Sequence, residues 1–156
     1  MSSFSNNIEI TDDIIESVLS NRIFKTSDNL KRQFQKLQQQ IYFLKQNRSE
    51  VFYQAIVEEY LQGQHKKLKH GVTDVRNHKV HAEIKRWDLF MQAIGQLMYY
   101  NWVDPKEELH VYFFGRTTSK DAKYIIDLLM EKSFVVHTFR DIEEGVVIYC
   151  HKTNLS

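Results

Sequence analysis

The sequence predicts an α/β fold, a mixed β-sheet flanked by helices with an α-helical N-terminal extension, and three patterns predict it. Gly71–Val75 and Val80–Trp87, rich in β-branched and apolar residues, flank the polar run Arg76–Lys79, as two antiparallel strands flank a turn. Leu109–Phe114, the helical pattern after Thr118 and Phe134–Phe139 read strand, helix, strand, which calls for parallel pairing through a right-handed crossover. Ahead of both, Leu30, Phe34, Leu37, Ile41 and Leu44 are spaced by four, three, four and three, the seam of a short coiled coil or bundle.

At 156 residues the chain is long enough for one real core with a helical attachment, divided as 1–48 and 49–156. Its 42% hydrophobic and 26% charged residues are those of an ordinary globular protein. A net charge of +1 gives no global polyanion-binding signature, yet the charge is uneven. Met1–Ser20 holds four acids and no Lys or Arg, whereas Asn21–Arg48 holds seven Lys or Arg against one Asp. The single cysteine, Cys150, lies in the apolar run Val146–Cys150, reads as a small buried residue and fits a reducing compartment. No apolar stretch approaches the ~18 residues of a membrane span, and the polar amino terminus lacks the charged-then-apolar start of a secretory leader. The expectation is a soluble intracellular protein with no membrane partner.

Taken in order, Met1–Asn7 is Ser- and Asn-rich and reads as loose. Thr11 caps a helix with Asp12 and Asp13 in its first turn and Ile14, Ile15, Val18 and Leu19 on one face. The Leu30–Leu44 helix starts at Ser27 or Asp28; its seam packs on the chain's own core or on a second copy, a homodimer. After a break at Asn47–Ser49, Ser49 caps a helix that runs to Gln62 and ends at Gly63, burying Val51, Phe52, Ala55, Ile56 and Tyr60 and leaving Glu50, Gln54 and Glu58 as a polar stripe. His65–His70 forms the outer strand of the hairpin. Asp88 opens a helix to Trp102 with Phe90, Ala93, Ile94, Leu97 and Met98 inward, Gly95 close to the sheet, and Gln92, Gln96 and Tyr100 on one stripe. Asp104-Pro105 turns the chain into Leu109–Phe114. Thr118 and Asp121 make a capping box ahead of Ala122, Ile125, Ile126, Leu129 and Met130. Arg140–Gly145 is a loop, and Val146–His151 the last strand.

Within the hairpin, the period of two sets Val80, Ala82 and Ile84 on one face and His81, Glu83, Lys85 and Trp87 on the other. Glu83 and Lys85 are neighbours, and a tight hairpin brings Asp74 toward Glu83. Two carboxylates facing a lysine suit a magnesium ion shared with a substrate phosphate. Such an ion lowers the pKa of a bound water, neutralises phosphoryl charge and orients in-line attack. Lys85 would orient the water or stabilise transition-state charge. An isolated E-x-K triplet reads first as a surface ion pair on a solvent-facing strand.

The ordered set is more specific. Thr73-Asp74, a short hairpin, Glu83-Ile84-Lys85 and then a helix carrying Gly95-Gln96-Leu97-Met98-Tyr99-Tyr100 resembles the PD-(D/E)xK nuclease superfamily, in its RecB-like variant with a Q-x-x-x-Y element. The run is similar to small nuclease-like domains of large DNA viruses. The proline of the superfamily's name is absent, and the likeness covers about Ser49 to Phe114. It implies a restriction-endonuclease-like core and a Mg2+-dependent DNA endonuclease, with Mn2+ as a substitute, in the nucleus or cytoplasm of a host cell if the source is viral. Asp74, Glu83 and the carbonyl of Ile84 would then hold the metal and Lys85 would act on the nucleophile. Glu50 would be the supporting helix glutamate, with Glu58 and Glu59 as alternatives. Gln96 and Tyr100 would position the site groups, and Gln92 would touch nucleic acid. Lys66, Lys67 and Lys69 stand where DNA phosphates would approach, giving salt-dependent affinity without reading sequence.

Two rivals belong to other classes: a non-catalytic nucleic-acid-binding or assembly protein on the same fold, and an oligomerising protein organised by Leu30–Leu44. Zinc is a poor match, since His78 and His81 in a hairpin turn, with His65 and His70 near and Cys150 distant, lack a second ligand pair. Phosphate-binding Gly-rich loops, nucleophile elbows and dinucleotide fingerprints are absent from the sequence.

Overall fold

The computed structural model describes the backbone of residues 3–24, 30–62, 64–68 and 71–153, and the side chains of 7–20, 34–62 and 75–151. Along the chain run β1 (Ser3–Thr11), α1 (Asp12–Phe24), α2 (Leu30–Gln46), α3 (Glu50–Leu61), β2 (Gln64–Leu68), β3 (Gly71–Arg76), β4 (Val80–Arg86), α4 (Phe90–Val103), β5 (Glu108–Phe114), α5 (Ser119–Glu131), β6 (Val135–Ile142) and β7 (Gly145–Thr153). The strands form one mixed sheet in the order β1-β7-β6-β5-β4-β3-β2. β4, β5 and β6 are parallel neighbours, joined through α4 and α5 as the strand–helix–strand order requires. The other neighbouring pairs are antiparallel.

Strand alternation separates two apolar layers. On one face Ala82, Ile84, Tyr112, Phe114, Phe139 and Ile148 pack with α1 and α3, and with Ile41 and Leu44 of α2. On the other, Trp87, Val111, Phe113 and Val136 pack with Ala93 and Leu97 of α4 and Ile125 and Leu129 of α5. The hairpin closes on Asn77, whose side-chain oxygen accepts from the backbone of Lys79 and Val80, both at 2.8 Å, the local bond that makes asparagine a turn residue. Thr118 caps α5 by accepting from the Asp121 amide at 3.1 Å.

Several expectations are corrected. Ser3–Asn7, expected to be loose, belong to β1, which pairs with β7 along its whole length, while Met1 and Ser2 lie outside the described residues. Ile10 is buried and Ile8 packs beside it, while Asn7 and Glu9 face out, so the strand period is present within a polar composition. Ile14 is exposed, because Ile15 and Leu19 set the inward direction of α1. Val51 and Tyr60 are exposed as well, and α3 instead buries the run Phe52–Val57, Gln54 included. Ser49 stands at the cap position of α3 without a side-chain cap bond, and the helix ends on Gln62 in the left-handed conformation. A 3-10 turn, Trp87–Leu89, precedes α4, so Asp88 does not open that helix. Met98 is exposed and Gly95 has nothing within 4 Å of where a Cβ would stand, so Gly95 serves no close packing on the sheet. Arg140 to Ile142 continue β6, leaving only a tight turn before β7. The expected start of α2 at Ser27 or Asp28 lies outside the described residues.

Candidate active site

β4 carries the site. Its register against β5 places Glu83 beside Val111 and Lys85 beside Phe113, both residues of the α4–α5 layer. The row His81, Glu83, Lys85, Trp87 therefore lies on that face. Glu83 is completely removed from solvent and Lys85 is 8% exposed, so these are not members of a solvated surface pair. An ionised group in such a place is costly unless it meets an opposite charge, a donor or a metal.

Lys85 has such a partner. Its Nζ is 3.8 Å from Oε1 of Glu50, in the first turn of α3. Since α3 packs on the opposite layer, the ion pair joins the two faces of the sheet. Of the three helix glutamates considered, Glu50 is the one that meets Lys85; Glu58 stands eight residues, about 12 Å of helix, further along, and Glu59 is exposed.

Asp74 lies in β3, one residue before Val75, which pairs with Ala82, itself one residue before Glu83. The ladder pairs Val75 with Ala82 and Arg76 with His81, and positions 74 and 83 lie just past it. The Asp74 side chain, like those of Lys66 and Lys67 in β2, lies outside the described side chains, and Lys69 lies outside the described residues altogether. β2 is the outer strand of the hairpin, as expected for the basic run. Ile84 is fully buried in the layer of α3.

The stripe on α4 divides. Gln92 is exposed, Gln96 half-buried and Tyr100 buried. Tyr100 sits beside His81, ring centroids 6.3 Å apart. Because α4 connects two parallel strands, it runs back along β4. Four residues of helix, about 6 Å, and two of strand, about 6.6 Å, bring Gln96 level with Glu83. Its Oε1 is buried without a hydrogen-bond partner, an acceptor aimed into the layer.

At the other end of β4, His81 Nε2 donates to the Asp104 carbonyl at 2.6 Å, and burial lowers the imidazole pKa. The Asp104 carboxylate pairs with Arg76 and, at 3.3 Å, with Lys106. Desolvation raises its pKa, but these two cations outweigh it and hold it below the usual carboxylate range. This network anchors the hairpin to the end of α4.

Two groupings carry no sequence signal, because each is made by strand register. His110 Nδ1 and His137 Nε2 are 2.8 Å apart, and His110 Nε2 is 2.9 Å from Glu108 Oε2, in the α3 layer. Arg48 and Tyr53 converge on Asp141 near the start of α3. Among the described residues, no group of three or more His, Cys, Asp or Glu side chains is arranged to hold a metal ion. No helix among the described residues is long and apolar enough to cross a membrane.

No family model, curated protein or solved structure matches this chain.

Proposed function

We propose that this chain is a metal-dependent DNA endonuclease built on a restriction-endonuclease-like core. The observation that carries the reading is the meeting of Lys85 with Glu50 across two layers of the fold, beside the buried carboxylate of Glu83. Alternating charges on a solvent-facing strand would need neither burial nor a partner from another helix. The donor types fit a hard cation: Asp74, Glu83 and the Ile84 carbonyl would hold Mg2+ or Mn2+, which would supply charge neutralisation and an acidified water when bound. Lys85 holds a positive charge at the place where the phosphoryl oxygens would gather charge. Glu50 fixes the direction of the ammonium and accepts a proton or a water hydrogen bond. Gln96 offers an acceptor at the level of Glu83, and Tyr100 packs the base of the hairpin. Lys66, Lys67, Lys69 and Gln92 remain proposed nucleic-acid contacts.

The test is cleavage of labelled single-stranded, duplex and four-way-junction DNA with Mg2+, Mn2+ or EDTA, comparing the intact chain with Asp74→Ala and Lys85→Ala. Metal-dependent cutting abolished by both substitutions supports the reading. Equal cutting by all three proteins, or none by any of them, rejects it.

A second reading, an oligomerising assembly protein, is favoured by the exposed rings of Phe34, Tyr42 and Phe43 on α2. Ile41 and Leu44 of the same helix pack on the chain's own core, so the expected seam is partly engaged within one copy. Light scattering on the intact chain and on Phe34→Ser/Phe43→Ser tests it: dissociation by the double substitution, with no cleavage by either protein, favours assembly.

A further inference from the structure

One row of the sheet crosses four strands on a single face: Lys85 pairs with Phe113, Phe113 with Thr138, and Thr138 with Tyr149. Beyond Phe113 this row opens into a cleft of about 480 Å³, roofed by α5 and walled by the turn after β5 and by β6 and β7. Its polar lining is Arg116, Thr117, Thr138, Arg140, Tyr149 and His151, with no carboxylate among the lining residues. Both arginines are exposed. Arg140 meets the Tyr149 hydroxyl at 3.5 Å, and neither arginine has a carboxylate partner among the described residues. Most other cations of known geometry are spent on acids: Arg48 on Asp141, Arg76 and Lys106 on Asp104, Arg86 on Asp88. Gly115, in the left-handed region at φ 89°, turns β5 sharply and presents Arg116 to the cleft.

The cleft lies beyond the carboxyl end of β5, between the turn after that strand and β6. We infer that it holds the phosphodiester backbone of a nucleic-acid strand leaving the Lys85 site, with Arg116 and Arg140 as its phosphate ligands. Planar guanidinium forks match phosphate oxygens in pairs, and the hydroxyls of Thr117 and Tyr149 supply uncharged donors. Thr138 stands two strand spacings from Lys85, about 10 Å, close enough for one strand to reach both. The cleft therefore sets the path of a strand and carries no information about its bases. Burial keeps His151 below the ordinary histidine pKa, so the cleft's positive charge is that of its arginines. The inference extends the nuclease reading but is tested apart from it, because binding is measured without cleavage.

The experiment is fluorescence anisotropy of labelled duplex and single-stranded DNA in EDTA, over a series of salt concentrations. The proteins are the full chain, Arg116→Ala/Arg140→Ala, and Lys123→Ala/Lys132→Ala, which loses the same charge from exposed positions on α5 and just past its end, outside the cleft. The expected result is an affinity about tenfold or more lower for the arginine pair, with the slope of log affinity against log salt reduced by roughly one to two, and little change for the lysine pair. Unchanged binding by the arginine pair, equal loss in the lysine pair, or no binding by the full chain overturns it. A chain that binds through the arginines yet cuts nothing keeps the cleft and loses the nuclease. One that cuts and binds equally well without them keeps the nuclease and loses the cleft.

Discussion

The Tyr53 hydroxyl donates to the carboxylate of Asp141, whose two oxygens lie 2.8 and 2.9 Å away. Burial first, and Asp141 second, push the tyrosine pKa far above its usual range. The same carboxylate takes Arg48 at 2.8 Å, and Arg48 also donates to the Gly145 carbonyl at 2.9 Å. The first turn of α3, and with it Glu50, is thereby fixed to the far end of β6.

Removing that anchor costs stability in an ordered way. Asp141→Ala strands a buried hydroxyl and a half-buried guanidinium, an expected loss of about 2 kcal/mol, whereas Tyr53→Phe loses one hydrogen bond, about 1 kcal/mol. The melting midpoint falls by roughly 3 °C per kcal/mol. Tyr53→Phe/Asp141→Ala melts no lower than Asp141→Ala alone, because both substitutions break one bond; full additivity in the melts would show that the bond contributes nothing.

Gly145 admits no side chain. Its φ is 155°, and an added Cβ would stand 1.9 Å from the carbonyl oxygen of Ile10. Gly145→Ala is expected to lose more than about 2 kcal/mol and to loosen the β1–β7 edge. Hydrogen exchange reads this directly: the amides of β1 and β7 exchange faster while those of β4 and β5 keep their protection. Uniform protection across the sheet contradicts it.

Acid destabilises the fold before its carboxylates titrate. His81 and His151 are both held below the ordinary histidine pKa by burial, with the Asp104 carbonyl partly opposing this at His81. Their contribution is complete above the unfolded value of about 6.5 and is lost as pH falls toward the lower folded values, since the unfolded chain binds more protons there. Urea midpoints should decline between about pH 7.5 and 5, and His81→Asn/His151→Asn should flatten the decline. A wild-type midpoint constant over that window is the contrary result.

Function and stability should part company at Lys85. Lys85→Met places an apolar chain of similar length in a buried position and leaves Glu50, whose side chain is 40% exposed, in contact with water, so the melting midpoint is expected to move by less than about 3 °C. Cleavage is expected to drop by roughly two orders of magnitude or more, as when a single transition-state charge contact is removed. Retained cutting by this variant would assign the lysine a packing role.

The elements of this fold that rest on local patterns are those the sequence reveals. The hairpin, the two parallel crossovers and the cap of α5 each depend on residues a few positions apart. β1 escapes because Ser and Asn dominate its first half and its partner lies at 145–153. Val51, Tyr60 and Met98 fit a helical stripe, yet face out because the neighbouring elements cover a different arc of each helix. At the site, the period of two places Glu83 with Lys85, but nothing in spacing alone selects Glu50 over Glu58 or Glu59; that choice appears when α3 is seated. The arginine cleft has no sequence signal at all, since it exists only through register carried across four strands.

The pairing of Ser3 with Thr153 also sets a timetable. Contacts this distant in sequence carry a large loop-closure cost and form late. As the chain emerges during synthesis, β1 must wait for β7, and the carbonyl and carboxylate that anchor Arg48 come from the same late segment. The helix bearing Glu50 therefore acquires its final seat only after nearly every other element has been made. On the proposed nuclease reading, the meeting of Lys85 with Glu50 would stay unassembled in the nascent chain until β7 pairs with β1.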